Sequence, residues 1–139
     1  LTLVDAKREW FKSVCGLDQT EGDRAVSFCG HALLYEDVFV IPDTTKDERF
    51  KDNPMVVGKP FIRFYAGMPI KSLDAQRVGV LCVKGLEPRE FSKNDENIIT
   101  KSFCPNSLTF QRGNFTSRVE HSIRRQSPFP NYLITISHS

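Results

Sequence analysis

Several things are scarce or missing in this sequence, and each absence excludes something. No apolar run approaches the roughly 20 residues that cross a bilayer. There is almost no charge excess, since 19 Lys and Arg stand against 17 Asp and Glu for a net of +2. That balance provides no electrostatic case for nucleic acid and none for an acidic disordered chain. The chain opens on Leu1-Thr2-Leu3-Val4-Asp5, with no Met and no basic, apolar leader. It reads as a domain cut from a longer protein, and the cytosol is its expected compartment. The four cysteines, Cys15, Cys29, Cys82 and Cys104, form no CxxC pair. In a cytosolic chain they are expected to be reduced and buried as small hydrophobes. The sequence contains no GxSxG, HExxH, P-loop or paired-carboxylate pattern.

What is present divides into two zones. At 139 residues the chain is long enough for one domain. Residues 1–104 are apolar-rich and nearly neutral, as a core should be. In residues 105–139, 4 basic residues face 1 acidic residue, apolar content drops and no period is sustained. This stretch is expected to be a poorly packed tail, with Tyr132–Ser137 able to form a short strand around Ile134 and Ile136.

The periodicities predict the elements. Leu1–Val4 and Glu9–Val14 read as a β-hairpin across Asp5-Ala6-Lys7-Arg8, and Cys15–Asp23 reads as a polar loop. Ser27 can cap a short helix whose Phe28, His31, Ala32 and Tyr35 make one stripe. Val38–Ile41 is a strand ended by Pro42-Asp43. Thr44-x-x-Asp47 has capping-box spacing, which predicts a helical turn carrying Phe50. Ile62–Ile70 and Val78–Val83 are strands about a tight turn, with Ile62, Phe64 and Ala66 on one face and Arg63 and Tyr65 on the other. Ser92-x-x-Asp95 predicts a helix from Ser92 that stops near Phe103, ahead of Pro105. Helices interspersed with partly antiparallel strands make an α+β domain, a central, mainly antiparallel sheet flanked by helices.

These residues carry a resemblance. Leu3-Val4-Asp5 with Trp10-Phe11-Lys12-Ser13 resembles the second-strand hairpin of GAF domains, and Ser27-Phe28-Cys29-Gly30-His31-Ala32 is similar to the SFCAHA element of their bacterial signalling subgroup. Val40-Ile41-Pro42-Asp43, Asp47-x-Arg49-Phe50, Asn53-Pro54, the run from Ile62 to Gly67, the run from Gly79 to Val83, and Pro88-Arg89-Glu90-Phe91 follow in the family's order. The resemblance covers about residues 1–100, so residues 1–104 are a partial GAF-like domain. It begins at the hairpin, without the helix and strand that precede it in the family. The family's long C-terminal helix is interrupted at Pro105.

The resemblance implies a non-catalytic sensory module that binds a small molecule or a partner protein and reports to a histidine kinase or cyclic-nucleotide output domain. It implies no cofactor. It admits a second copy of the chain as partner, and neither nucleic acid nor a membrane is expected. It places a ligand pocket beside Ser27–Tyr35 and the Asp43–Gly58 connection. The candidate ligand-binding residues are Phe28, Cys29, His31, Asp43, Phe50 and Tyr65, with Phe64, Arg49 and Arg63 as neighbours. Each also has a plainer role: Phe28, Phe50 and Phe64 as core, His31 as a satisfied core histidine, Asp43 as a strand end and turn cap, and Arg49 clasped by Asp47 or Asp43. Tyr65 is expected on the ligand side and Phe64 in the opposite core. Cys29-x-His31 supplies only two of the four ligands a structural zinc needs, and it lacks the cysteine context of a bilin site. Two other readings stand beside the sensory one. One is a small redox enzyme resembling free methionine sulfoxide reductases, with Cys29 and Cys82 as its thiols, if the fold brings them within disulfide reach. The other is a fragment with no function of its own.

Overall fold

The computed structural model describes residues 2–4, 8–11, 13–15, 21–71, 75–102 and 132–136. Its elements are β1 (Thr2–Val4), β2 (Arg8–Phe11), β3 (Ser13–Cys15), β4 (Glu21–Asp23), a 3-10 turn (Arg24–Val26), α1 (Phe28–Ala32), β5 (Phe39–Ile41), α2 (Pro54–Val57), β6 (Phe64–Lys71), β7 (Arg77–Gly85), α3 (Lys93–Ser102) and β8 (Tyr132–Ile136). Every strand pairing is antiparallel. The architecture is α+β.

β6 and β7 form the spine. They pair from Phe64↔Gly85 to Lys71↔Arg77, with a register shift at Ile70/Lys71. β5 lies on the outer edge of β6. The other edge of β7 is shared. Thr2 of β1 meets it at Val80, and β8 continues alongside from Leu81 to Gly85. The predicted hairpin is present, with Leu3 opposite Trp10, and the stretch expected as its second strand holds two elements, β2 and β3. These take different partners, β4 for β2 and β8 for β3. The polar loop expected through Asp23 therefore ends early, because Glu21–Asp23 pair with Arg8–Trp10 as β4. β8 arises within the region expected to be a tail. Its alternating, β-branched sequence fills the edge of β7 left open beyond Val80. The rest of residues 105–139 lies outside the described residues.

Two apolar layers sandwich the spine. On one face Phe64, Ala66, Ile70, Leu81, Val83 and Ile99 pack together with Val40, Met68 and Phe91. On the other, Tyr65, Val80 and Cys82 meet Phe28, Cys29 and Ala32 of α1, together with Phe39, Ile41, Phe50, Val56 and Ile62. The alternation of β6 thus sends Phe64 and Tyr65 to opposite layers. Ile62 does not share the face of Phe64 as its spacing predicts. Phe61 adopts a left-handed φ of 59°, and Ile62 N–H donates to the Met55 carbonyl, so the chain is not extended before Phe64. Ile62 drops into the α1 layer instead.

The capping patterns divide two ways. Ser27 Oγ accepts from Gly30 N–H at 3.0 Å and starts α1 as predicted. α1 ends at Ala32, so Tyr35 lies beyond the helix. Ser92 and Asp95 form a reciprocal box: Asp95 N–H donates to Ser92 Oγ, and Ser92 N–H donates to Asp95 Oδ2 at 2.9 Å. Thr44 and Asp47 do not form one. Thr44 is wholly buried and spends its hydroxyl on the Ile62 carbonyl at 2.7 Å. The segment is a chain of turns, and the helix comes later as α2, capped by Asn53 Oδ1 on Met55 N–H.

Asp95 makes an acid-sensitive joint. Its burial would raise the carboxyl pKa, but the Ser92 hydrogen bonds and Arg89 outweigh that and hold it below the ordinary value. Arg89 Nη2 lies 2.9 Å from Asp95 Oδ1. A carboxyl depressed in the folded state contributes stability above its unfolded pKa of about 4 and loses it as pH falls through the lower folded value. Asp95→Asn should therefore flatten the acid limb of a stability-versus-pH curve below about pH 4. It should also lower stability at neutral pH by about 0.5–2 kcal/mol through the weakened cap. Urea melts across pH measure both, and an unchanged acid limb would remove Asp95 from this role.

Candidate functional site

The layer between α1 and the sheet is aromatic. β7, β6 and β5 set two cross-strand rows facing α1: Ile41–Tyr65–Lys84 and Phe39–Gly67–Cys82. The capped first turn of α1 lowers Phe28 and Cys29 onto these rows. Phe28 stacks on Phe50 at 4.6 Å between ring centroids and on Tyr65 at 5.1 Å. Phe39 leans on Phe50 and Tyr65 at just over 6 Å. Phe28, Cys29, Phe50 and Tyr65 are all within 1% of complete burial, so these side chains fill the space above the sheet with one another. The Tyr65 hydroxyl donates to Cys29 Sγ at 3.3 Å, which commits the group expected to orient a polar ligand.

The edge of this layer reaches solvent and is polar. Arg49 lies over Phe39 at 5.0 Å and Phe50 at 5.6 Å. Asp47 grips its guanidinium twice, Nε to Oδ1 at 2.9 Å and Nη2 to Oδ2 at 2.6 Å. Its third arm donates to the Tyr35 hydroxyl at 2.9 Å. Tyr35 stacks on Phe39 at 4.5 Å. The Arg49 hydrogen bond is the leading reason that the Asp47 carboxyl sits below its ordinary pKa, against the opposing effect of burial. His31 sets its ring edge on Phe50 at 4.7 Å, and its Nδ1 lies 3.1 Å from the Ser27 carbonyl. A carbonyl only accepts, so Nδ1 carries the proton of that bond.

Of the residues expected from sequence, Phe28, Cys29, His31, Phe50 and Tyr65 come together here, and Arg49 closes their edge. Asp43 stands apart and shapes the turn after β5. Its Oδ1 accepts from Thr45 N–H and from Thr45 Oγ at 2.6 Å, and Lys46 lies 3.3 Å from its other oxygen. Arg63 is also elsewhere, donating to the Val56 carbonyl at 2.8 Å behind α2. Phe64 belongs to the opposite layer. Sequence reasoning passed over Phe39, Gly67 and Lys84 as parts of this face. The available signal was period two: Phe39 shares a face with Ile41, Gly67 with Tyr65, and Lys84 with Cys82. Among the described residues no group of three or more His, Cys, Asp and Glu is placed to hold a metal ion, and no helix is long and apolar enough to cross a membrane.

Residues 1–104 match the GAF domain family. The chain is a GAF domain. It is also 45% identical over 89 residues to a cyclic di-GMP phosphodiesterase of Pseudomonas aeruginosa. That stretch is 64% of this chain and 15% of the relative, so the chain spans only a small part of the relative's length. As a GAF domain it is a sensory and regulatory module of signal transduction.

Gly67 of this GAF domain is required by a close approach. A Cβ at Gly67 would lie 2.8 Å from Tyr65 Cζ and against the Tyr65 hydroxyl. The Tyr65 ring is fully buried under Phe28 and cannot swing clear. Gly67→Ala should cost about 1–3 kcal/mol as an overpacked core. It should break the Tyr65–Cys29 hydrogen bond, and denaturant titration measures the loss. A neutral substitution would mean that the ring is not held there.

Proposed function

We propose that this GAF domain is a non-catalytic, cytoplasmic regulatory module that binds a small planar ligand carrying an anionic group at the Arg49 edge and passes that state to an output domain turning over a cyclic nucleotide. The observation that carries the reading is the placement of Arg49. A guanidinium over two aromatic faces, held by one carboxylate and one phenol, sits where solvent reaches the aromatic layer. A planar ring would stack against Tyr35, the exposed ring of its pair with Phe39, and its anionic group would take Arg49 from Asp47. Such an exchange gives the two states different affinities, which a sensory signal requires. Phe28, Phe50 and Tyr65 would form the floor, with Cys29 and His31 beside them. Asp43 is assigned the turn rather than the ligand. The output assignment draws on the similarity to the cyclic di-GMP phosphodiesterase, whose activity is that protein's own.

Native mass spectrometry of the purified domain tests the reading. A retained small molecule is expected on the unmodified chain. Arg49→Ala should weaken its binding by about tenfold or more, the scale of one lost charge-assisted contact. Retention unaffected by Arg49→Ala would overturn the site. A full-length parent protein whose output rate ignores the ligand would overturn the regulatory role.

A further inference from the structure

Two thiols among the described residues touch each other, and the sensory role does not use them. Cys29 and Cys82 are both fully buried, and neither is in a disulfide. They lie 53 residues apart in sequence, and their Sγ atoms stand 3.5 Å apart. One sits in the first turn of α1 and the other at the centre of β7. A disulfide needs about 2.05 Å, so closing the pair takes a shift of about 1.5 Å shared between a short helix and a side-chain rotation. Buried cysteines are ordinarily inert, because apolar surroundings disfavour the thiolate and limit access to it. Here a second sulfur lies in contact, and the Tyr65 hydroxyl is aimed at the first.

We propose that Cys29 and Cys82 are a reversible redox-modification site, a dithiol that a peroxide converts to an intramolecular disulfide linking α1 to the central strand. Cys29 reacts first, because the Tyr65 hydroxyl, 3.3 Å from its sulfur, is placed to hydrogen-bond the negative charge that develops there during attack. The Cys29 thiolate attacks one peroxide oxygen and the O–O bond breaks. The sulfur becomes a sulfenic acid and hydroxide leaves, taking the thiol's proton as water. The Cys82 thiol then attacks that sulfur and expels its oxygen as a second water. Two thiols lose two electrons and two protons in all, and one hydrogen peroxide is reduced to two waters. A low-molecular-weight dithiol returns both electrons and restores the pair. The peroxide is small enough to enter when α1 opens locally, and the disulfide then holds α1 down. It also changes the sulfur that accepts from Tyr65, at the floor of the aromatic layer. The disulfide itself does not depend on a ligand at Arg49.

The test is a non-reducing peptide map of the folded chain after hydrogen peroxide, with free thiols alkylated beforehand in a parallel sample. The expected result is a cross-linked peptide joining Cys29 to Cys82, lighter by two hydrogens and released by dithiothreitol. It should form more slowly in Tyr65→Phe. Oxygen added to either thiol without that cross-link would overturn the proposal. So would a Cys29–Cys82 bond that forms only in denaturant, or a rate unchanged in Tyr65→Phe for the part assigned to the hydroxyl. The map is read on the natural chain, so no cysteine variant has to fold.

Discussion

Phe28→Ala is expected to cost the domain about 3–5 kcal/mol, the range for emptying a buried aromatic site. Phe28 is completely buried and stacked on two rings at once, Phe50 on one side and Tyr65 on the other. Each such pair adds about 0.5–1.5 kcal/mol beyond the area buried. The neighbours cannot collapse into the void, because Tyr65 is held by Cys29 and by its fit over Gly67, and Phe50 is flanked by Phe39, His31 and Arg49. Domains of this size are stable by only about 5–15 kcal/mol, so the loss should be visible as a large fall in denaturant midpoint at constant slope. Phe28→Leu should recover most of it. A cost below about 1 kcal/mol would mean that the aromatic layer is loosely packed.

Phe64→Ala is expected to cost about as much, 3–5 kcal/mol, from the other side of the sheet. Phe64 is fully buried in the layer of Leu81, Val83 and Ile99 and stacks on Phe91 at 6.0 Å. The two substitutions should part company in binding. The backbone of β6 separates Phe64 from Arg49 and its rings, so the folded fraction of Phe64→Ala should keep the affinity of the unmodified chain for any ligand at that edge. Phe28→Ala removes the floor and should lose it. Titration of the retained ligand back into both variants, corrected for the unfolded fraction, makes the comparison. A Phe64→Ala variant that is stable yet fails to bind would reverse the assignment of faces.

Much of this was legible in the sequence, for local reasons. Strand alternation alone separates Phe64 from Tyr65, since successive side chains on a regular strand point to opposite faces. The same rule failed at Ile62, where a left-handed Phe61 interrupts the strand, a conformation no propensity predicts for phenylalanine. Capping chemistry was readable at Ser27 and at Ser92 with Asp95, because the polar side chain has a nearby orphan N–H to satisfy. The identical spacing at Thr44 and Asp47 misled. A buried carbonyl at Ile62, 18 residues away, needed the Thr44 hydroxyl, and Arg49 engaged Asp47.

By itself the sequence determined that this is an α+β domain with the motif order of a GAF domain, and that the residues around Ser27–Tyr35, Asp47–Phe50 and Phe64–Gly67 supply its aromatic and polar groups. Those are properties of composition, period and short spacings, each set within a few residues. Only the tertiary structure decided which of these groups meet. It sent Asp43 to a local turn and Arg63 to the Val56 carbonyl of α2, set Arg49 over Phe39 and Phe50, brought β8 to the open edge of β7, and placed the Cys29 sulfur 3.5 Å from that of Cys82. Pairings between residues tens of positions apart depend on strand order and on which buried donors and acceptors remain unpaired once the sheet has formed, and neither is written in any local stretch of the chain.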